Sequence, residues 1–457
     1  MTRLARTSRT PGPRATTLLA ACLAAISVAQ SQAAPDRGPA AAVAPTVEVT
    51  HGHWYMNGRF VDSSFYIVDG VLRAQRPARV DSEIDLQGGY VIPPFGDAHT
   101  HNLDGPFNLD KVRDAYIKEG TFYVAVLTNS ATGADRVKSR FNQACDLDVI
   151  YANGGLTSTL SHPFLAYEPR AMRLFGDWGP HAAEIRKSRL RENDAYWFLD
   201  SRADLDAKWP RILAAHPGII KIFLLDAQEH PPAMSDSGLP SGHGLRPSLV
   251  PEIVKRAHAA GLRVAAHVET AADFAVAVNA GVDQMAHLPG YALGTDPSGK
   301  AQLGVSAAPF EVSADIAKKA GRARLTVTPT VAWTYTGGGP DSAAAVPVRQ
   351  ALMKRNIDAL SSAGVQFIVG SDWFGATASH EIAAMRALGA WSDSTVLQMW
   401  MRTPSAIFPA RKIGRLEDGY EASFLVLKDN PLQRFDAVQD IRLRVKQGCV
   451  LKDTGAP

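Results

Sequence analysis

The sequence predicts an α/β fold: a (β/α)8 barrel of the TIM type beside a small β-sandwich domain assembled from both ends of the chain. Three observations predict it. Eight short apolar runs alternate with helical stretches that stop at glycine, the pattern of a parallel sheet. β-rich segments precede the first of these runs and follow the last. The length of 457 residues exceeds the roughly 250 of a bare barrel. A composition of 46% hydrophobic and 20% charged residues is that of an ordinary globular protein.

Taken in order, residues 1–34 read as an export signal. Arg3, Arg6, Arg9 and Arg14 form a basic start, Ala15 to Ala29 an apolar stretch, and Ser31-Gln32-Ala33 a small-residue cleavage site. The stretch is short for a bilayer and no later run is longer, so no stable membrane span is expected. Leu19-Ala20-Ala21-Cys22 offers a competing reading as a lipoprotein box with Cys22 lipidated. The apolar run continues past Cys22, which favours plain export to the periplasm or the medium. The net charge of +3 rests on those four arginines. Without them the chain is close to neutral, and no electrostatic case for nucleic acid remains. Residues 35–45, rich in Ala and Pro, are expected to be a disordered lead-in.

Residues 46–90 alternate short strands and turns: Thr46 to Thr50, Phe60-Val61 and Phe65 to Val68, then the hairpin signal Asp69-Gly70. Residues 401–457 return to β structure, with Ser423 to Leu427 and Leu443 to Lys446 either side of a turn at Asn430-Pro431. Two half-sheets this far apart need each other to bury their apolar faces, so one composite domain is expected. The barrel occupies 91–400. Its strands are expected at Val91 to Asp97, Phe122 to Thr128, Leu156 to Ser161 and Ile219 to Leu225, then Arg263 to Val268, Gln284 to Leu288, Leu325 to Thr330 and Phe367 to Gly370. Helices are clearest at Pro251 to Ala260 and Ala271 to Ala280, which end at Gly261 and Gly281. Long segments around 170–191, 228–246 and 334–348 are expected as mouth loops. Cys145 and Cys449 are far apart in sequence; a single disulfide between them is open, and free buried thiols are the preferred expectation.

Several polar residues close or interrupt the apolar runs. His99 and His101 leave the first strand; alternation puts them on one face, where both can grip one cation. Lys221 interrupts the fourth run, His267 ends the fifth, His287 lies in the sixth and Asp372 follows the eighth. A lone histidine after an apolar run is more often a hydrogen-bonded core residue; six such residues at strand ends together point to a metal centre. Lys221 sits among Gly218-Ile219-Ile220 and Ile222-Phe223, where burial favours the neutral amine. His162, ending the third run, and Tyr291, four residues past His287, are candidates for substrate contact, with core packing and loop packing as their alternatives. His51-Gly52-His53 repeats the His-x-His spacing but lies in the β domain and reads as surface.

The ordered series of His-x-His, Lys, His, His and Asp resembles the amidohydrolase superfamily over nearly the whole mature chain. Within it the chain looks most similar to the imidazolonepropionase-like and metal-dependent prolidase or dipeptidase branch. Pro94 and Ala422-Ser423-Phe424 depart from the family pattern without touching the series. The resemblance implies that Lys221 is carboxylated and bridges two divalent ions, zinc foremost, one held by His99 and His101 and the other by His267 and His287. It implies a small-molecule substrate whose C–N bond is cleaved by a metal-bound hydroxide, with Asp372 as ligand and proton shuttle. An unmodified lysine at a one-metal site is the alternative for Lys221. Hydrolysis of an ester, lactone or phosphoester is the rival chemistry, and a non-catalytic binding barrel the rival class. Oligomeric state stays open, with a homo-oligomer among the options.

Overall fold

The computed structural model describes residues 45–229, 238–239, 243–291, 293, 306–336 and 345–451. The export segment and nearly all of the lead-in lie outside them, as do parts of the expected mouth loops at 228–246 and 334–348.

The chain begins with β1 (Val47–Met56), β2 (Arg59–Val68), β3 (Val71–Arg73) and β4 (Ser82–Ile92). Parallel strands follow: β5 (Phe95–Thr100), β6 (Thr121–Val126), β7 (Asp148–Tyr151), β8 (Gly155–Thr157) and β9 (Tyr196–Phe198). The next five are β10 (Ile220–Phe223), β11 (Val264–His267), β12 (Gln284–Ala286), β13 (Thr326–Thr328) and β14 (Gln366–Phe367). The chain closes with β15 (Phe424–Leu427), β16 (Ile441–Lys446) and β17 (Cys449–Val450).

Both chain ends share one seven-stranded sheet in the order β17-β16-β15-β4-β1-β2-β3. Asp69 (φ 49°) and Gly70 (φ 74°) take the left-handed conformations that the two-residue hairpin between β2 and β3 requires. Trp54 of β1 packs between Phe65 of β2 and Phe424 of β15, with ring centroids 4.7 and 5.4 Å away. The apolar face of the N-terminal strands is therefore covered by residues more than 300 positions later.

The central strands form a mixed α/β unit of parallel ladders, β5-β6-β7 and β14-β13-β12-β11-β10-β8-β9. Ala98 N donates to Val369 O (2.8 Å) and Gly218 N to Tyr151 O (2.8 Å), two bonds that run between the ladders. The helices form for sequence reasons visible locally. Val250–Ala259 buries Ile253, Val254 and Ala257, and Ala271–Ala280 opens on a reciprocal cap between Thr270 and Asp273 and stops at Gly281 with φ 84°.

Three expectations are corrected. The run from Val91 to Asp97 is two strands, because Pro93 and Pro94 lack the N–H that a continuing ladder needs. Val91 and Ile92 pair with Val426 and Leu425 in the terminal sheet, and the parallel strand starts at Phe95. The third run is preceded by β7, separated from β8 by Asn153 (φ 52°) and Gly154 (φ 102°), and β9 adds a further strand beside β8. Cys145 and Cys449 are joined in a disulfide, Cα atoms 5.4 Å apart, although 304 residues separate them. The terminal sheet lays its last strand against the segment before β7, a juxtaposition that spacing in sequence does not reveal.

Candidate metal centre

The strand ends are tied together by a carboxylate that the motif reading passed over. Asp97 is fully buried in β5; its Oδ1 accepts from His99 N (3.2 Å) and Ser371 N (3.0 Å). Its Oδ2 accepts from Ser371 Oγ (2.7 Å) and Tyr116 OH (2.9 Å). Asp372 N then donates to His99 O (2.6 Å). The segment after β14 is thus held against β5, and Gly370 permits the approach: a Cβ there would lie 2.6 Å from His99 Cβ and 2.9 Å from His99 N. His287 (φ 92°) and Asp372 (φ 47°) both sit in the left-handed region, the strained backbone that turns these side chains off their strands.

Asp372 Oδ1 lies 2.9 Å from His101 Nε2 and 3.2 Å from His99 Nε2, and Oδ2 lies 3.7 Å from His287 Nδ1. One ligand atom each from His99, His101 and Asp372 falls within 4.8 Å of the others. The His99 ring is 5.0 Å from that of His287, which is 4.6 Å from His267. Lys221, 1% exposed, stands opposite Ala265 in the β10–β11 ladder, where Phe223 stands opposite His267. Its Nζ has no hydrogen-bond partner among the described residues. Burial pulls the Lys221 amine down to about 7, against the pull of the Asp372 carboxylate.

Burial, with Lys221 alongside, holds His99 well below the ordinary imidazole range and His267 down to about 3. Burial, with His267 and His99 alongside, does the same for His287. These rings are neutral at pH 7, the form that binds metal. Thr330 fixes the tautomer of His287. Its hydroxyl donates to Pro329 O (2.8 Å) and therefore accepts from His287 Nδ1 (2.7 Å), leaving Nε2 with its lone pair. His101 Nδ1 lies 3.3 Å from Thr128 O, which leaves its Nε2 likewise directed at Asp372. An orphaned buried amine amid neutral imidazoles and one carboxylate is a donor set suited to one or two divalent cations.

All eight residues singled out from the sequence gather here. His162 stacks on His267 at 5.0 Å and meets Phe223 edge-on, and Tyr291 lies flat on His287 with centroids 4.2 Å apart. Burial, with Glu269 and Asp372 close by, holds the Tyr291 phenol well above its ordinary value, so it stays a hydrogen-bond donor. His51 and His53 lie apart in the terminal sheet, where their Nδ1 atoms face Asp85 and Asp62. The sequence reading missed Asp97, Thr330 and Glu269, whose Oε1 is 3.3 Å from His267 Nε2. Asp97 and Glu269 each stand two residues from a histidine of the series, a spacing that was there to be read.

No family model matches the chain, and no curated protein matches it. Solved structures do. One titled as an amidohydrolase is 20% identical, with 90% of this chain and 100% of that chain covered at a TM-score of 0.65. A prolidase complexed with N-methylphosphonate-L-proline is 19% identical, covering 89% and 99% at 0.65. A Xaa-Pro dipeptidase with methionine bound in its active site is 16% identical, covering 89% and 100% at 0.64. At these identities the likeness is one of fold: this chain shares the fold of solved structures titled amidohydrolase, prolidase and Xaa-Pro dipeptidase.

Proposed function

We propose that this chain is a metal-dependent hydrolase that cleaves a C–N bond of a small molecule, whether amide, peptide-like or cyclic amide. The observation that carries the reading is the gathering of Asp372 and neutral imidazoles about Lys221, a buried amine without a partner among the described residues. The likeness to proteins named amidohydrolase, prolidase and Xaa-Pro dipeptidase supports the same bond type. The ladders would close into a (β/α)8 barrel over 91–400, which the two bonds between them support, with 46–90 and 401–457 forming the β-sandwich. The protein would be exported, and the disulfide between Cys145 and Cys449 suits an oxidising compartment.

His99 and His101 would hold one ion, His267 and His287 another, with Asp372 as a further ligand. Lys221, neutral because it is buried, would take up carbon dioxide and lose a proton, becoming an anionic carbamate shared by both. The chemistry that a divalent ion such as zinc supplies when bound is a lowering of the pKa of bound water toward about 7 and polarisation of the scissile carbonyl. A carboxylate oxygen of Asp372 takes the proton of the attacking water and returns it to the departing nitrogen, which leaves poorly unless protonated. His162 and Tyr291, stacked on His267 and His287, would donate to the substrate carbonyl or carboxylate.

Protein prepared without chelators is to be analysed for zinc, manganese and iron, and by mass spectrometry for carboxylation of Lys221. It is then given dipeptides, N-acyl amino acids and matched esters. Metal bound near stoichiometry, with amide turnover lost on chelation, is the expected result. Turnover indifferent to chelation, or confined to esters, would overturn the reading.

A further inference from the structure

We propose that a cavity at the N-terminal ends of β11 to β14, lined by Arg263, Arg324 and Arg402, is a binding site for a small dianion, phosphate- or carboxylate-bearing. It lies at the opposite end of the parallel strands from the candidate metal centre and takes no part in the hydrolase chemistry.

The cavity measures about 470 Å³. Arg263 precedes β11, Thr326 opens β13 and Gln366 opens β14, so the starts of these strands line it. His267 closes β11 at its other end, roughly 13 Å away at about 3.3 Å per residue. Three arginines and a single acid, Asp283, stand around the space. That acid is already engaged: its Oδ2 lies 2.9 Å from His258 Nε2 and accepts from Val264 N at 2.7 Å. Arg263 donates to Ala406 O, and none of the three arginines enters an ion pair among the described residues.

Helices carry partial negative charge at their C-termini and gather arginines there for that reason. Here the terminal carbonyls are satisfied without Arg324 and Arg402. At the end of Ala314–Arg322, Ala323 N donates to Lys319 O, Arg324 N to Gly321 O and Leu325 N to Ala320 O. At the end of Asp393–Ile407, Phe408 N donates to Pro404 O and Ser405 Oγ to Arg402 O, while Arg263 takes Ala406 O. Nor does Arg402 have an acid on its own helix face: Gln398, Met399, Ser405 and Ala406 stand three and four residues away. Arg402, Gln366 and Ser405 also line an adjoining cavity of about 820 Å³, which adds Lys412. Uncompensated cations around a concave space repel one another until an anion enters, and a guanidinium presents the planar fork that two oxygens of a phosphate or carboxylate match.

Calorimetric titration of the full chain with inorganic phosphate, sulfate and succinate, at low salt and about pH 8 where each probe is doubly charged, reads the site, with succinamide as the uncharged control. Wild type is expected to bind at least one dianion once per chain and succinamide not at all. Binding confined to phosphate and sulfate marks a phosphoryl ligand, and binding of succinate a dicarboxylate. Arg324 and Arg402 are exposed, so their substitution spares the core. Arg402→Gln and Arg324→Gln should each weaken binding roughly tenfold or more, the worth of a charge-assisted hydrogen bond, and the double variant should abolish it. Arg402→Lys should restore part, since it keeps the charge without the fork. In anion-free buffer both glutamine variants are expected to melt at or above wild type, because like charges have been thinned. Dianions that fail to bind wild type, or bind the double variant undiminished, overturn the site. Glutamine variants that melt lower without anion assign the arginines to folding and overturn it equally.

Discussion

Lys221 is the residue whose chemistry its surroundings constrain most. An amine at 1% exposure whose Nζ has no hydrogen-bond partner among the described residues is expensive to bury, and such a group calls for a partner that the surrounding side chains do not supply. Lys221→Met, close in size and apolar, is therefore expected to leave the fold intact and abolish tight metal binding, as elemental analysis and circular dichroism would show together. Full metal content in that variant would remove the lysine from the centre. Asp372 separates binding from turnover: Asp372→Asn keeps an oxygen where Oδ1 now faces His99 and His101 but gives up the basic carboxylate. The expected result is metal largely retained with turnover down roughly 100-fold to 10,000-fold. Measuring kcat beside metal content decides it, and near-normal kcat would discard the shuttle role.

At the scale of elements, the question is what brings β5 and the segment after β14 into register. Asp97 does so by accepting four hydrogen bonds, two from Ser371, one from His99 and one from Tyr116. Asp97→Ala leaves those buried donors unsatisfied and is expected to lower stability by about 1–3 kcal/mol, and metal affinity with it, because the proposed ligands His99 and Asp372 ride on the segments it joins. Chemical denaturation of metal-free protein reads the first effect and metal titration the second; a stability loss with unaltered affinity would confine Asp97 to folding. The helices make smaller contributions. Thr270→Ala removes the cap on Ala271–Ala280 and should cost about 1 kcal/mol.

For the whole molecule, the seam between the terminal sheet and the parallel strands is polar and buried. Asp148 meets Lys446 Nζ at 3.0 Å and Arg411 at 2.7 Å, and Glu421 receives Tyr123, Ser423 and Arg411. Burial alone would raise the Glu421 carboxyl, but bonds from Tyr123, Ser423 and Arg411 hold it below the ordinary range. A carboxyl depressed in the folded state binds fewer protons there than in the unfolded chain. Its contribution is therefore complete above the ordinary carboxylate range and is lost as pH falls through its folded value. The melting temperature of wild type is expected to fall more steeply in acid than that of Glu421→Gln; parallel curves would discount the seam. The disulfide fastens the same seam, and Cys449→Ser should cost about 2–5 kcal/mol, read as a lower denaturation midpoint.

What the sequence determined by itself is local: which short runs are strands, where Gly281 ends a helix, and which polar residues stand where a strand delivers its side chains. These follow from periodicity and backbone chemistry acting over a few positions, so His99, His101, Lys221, His267, His287 and Asp372 could be named before any coordinate was known. Tertiary structure decided what depends on meetings across the chain. Asp372 lies beside His101 across 271 positions and Cys449 reaches Cys145 across 304. Asp97, an acid in an apolar run, gains its purpose only when Ser371 arrives beside it. Such distances are set by how parallel strands pack and how two half-sheets share Trp54, Phe65 and Phe424, and no spacing rule within one segment encodes them.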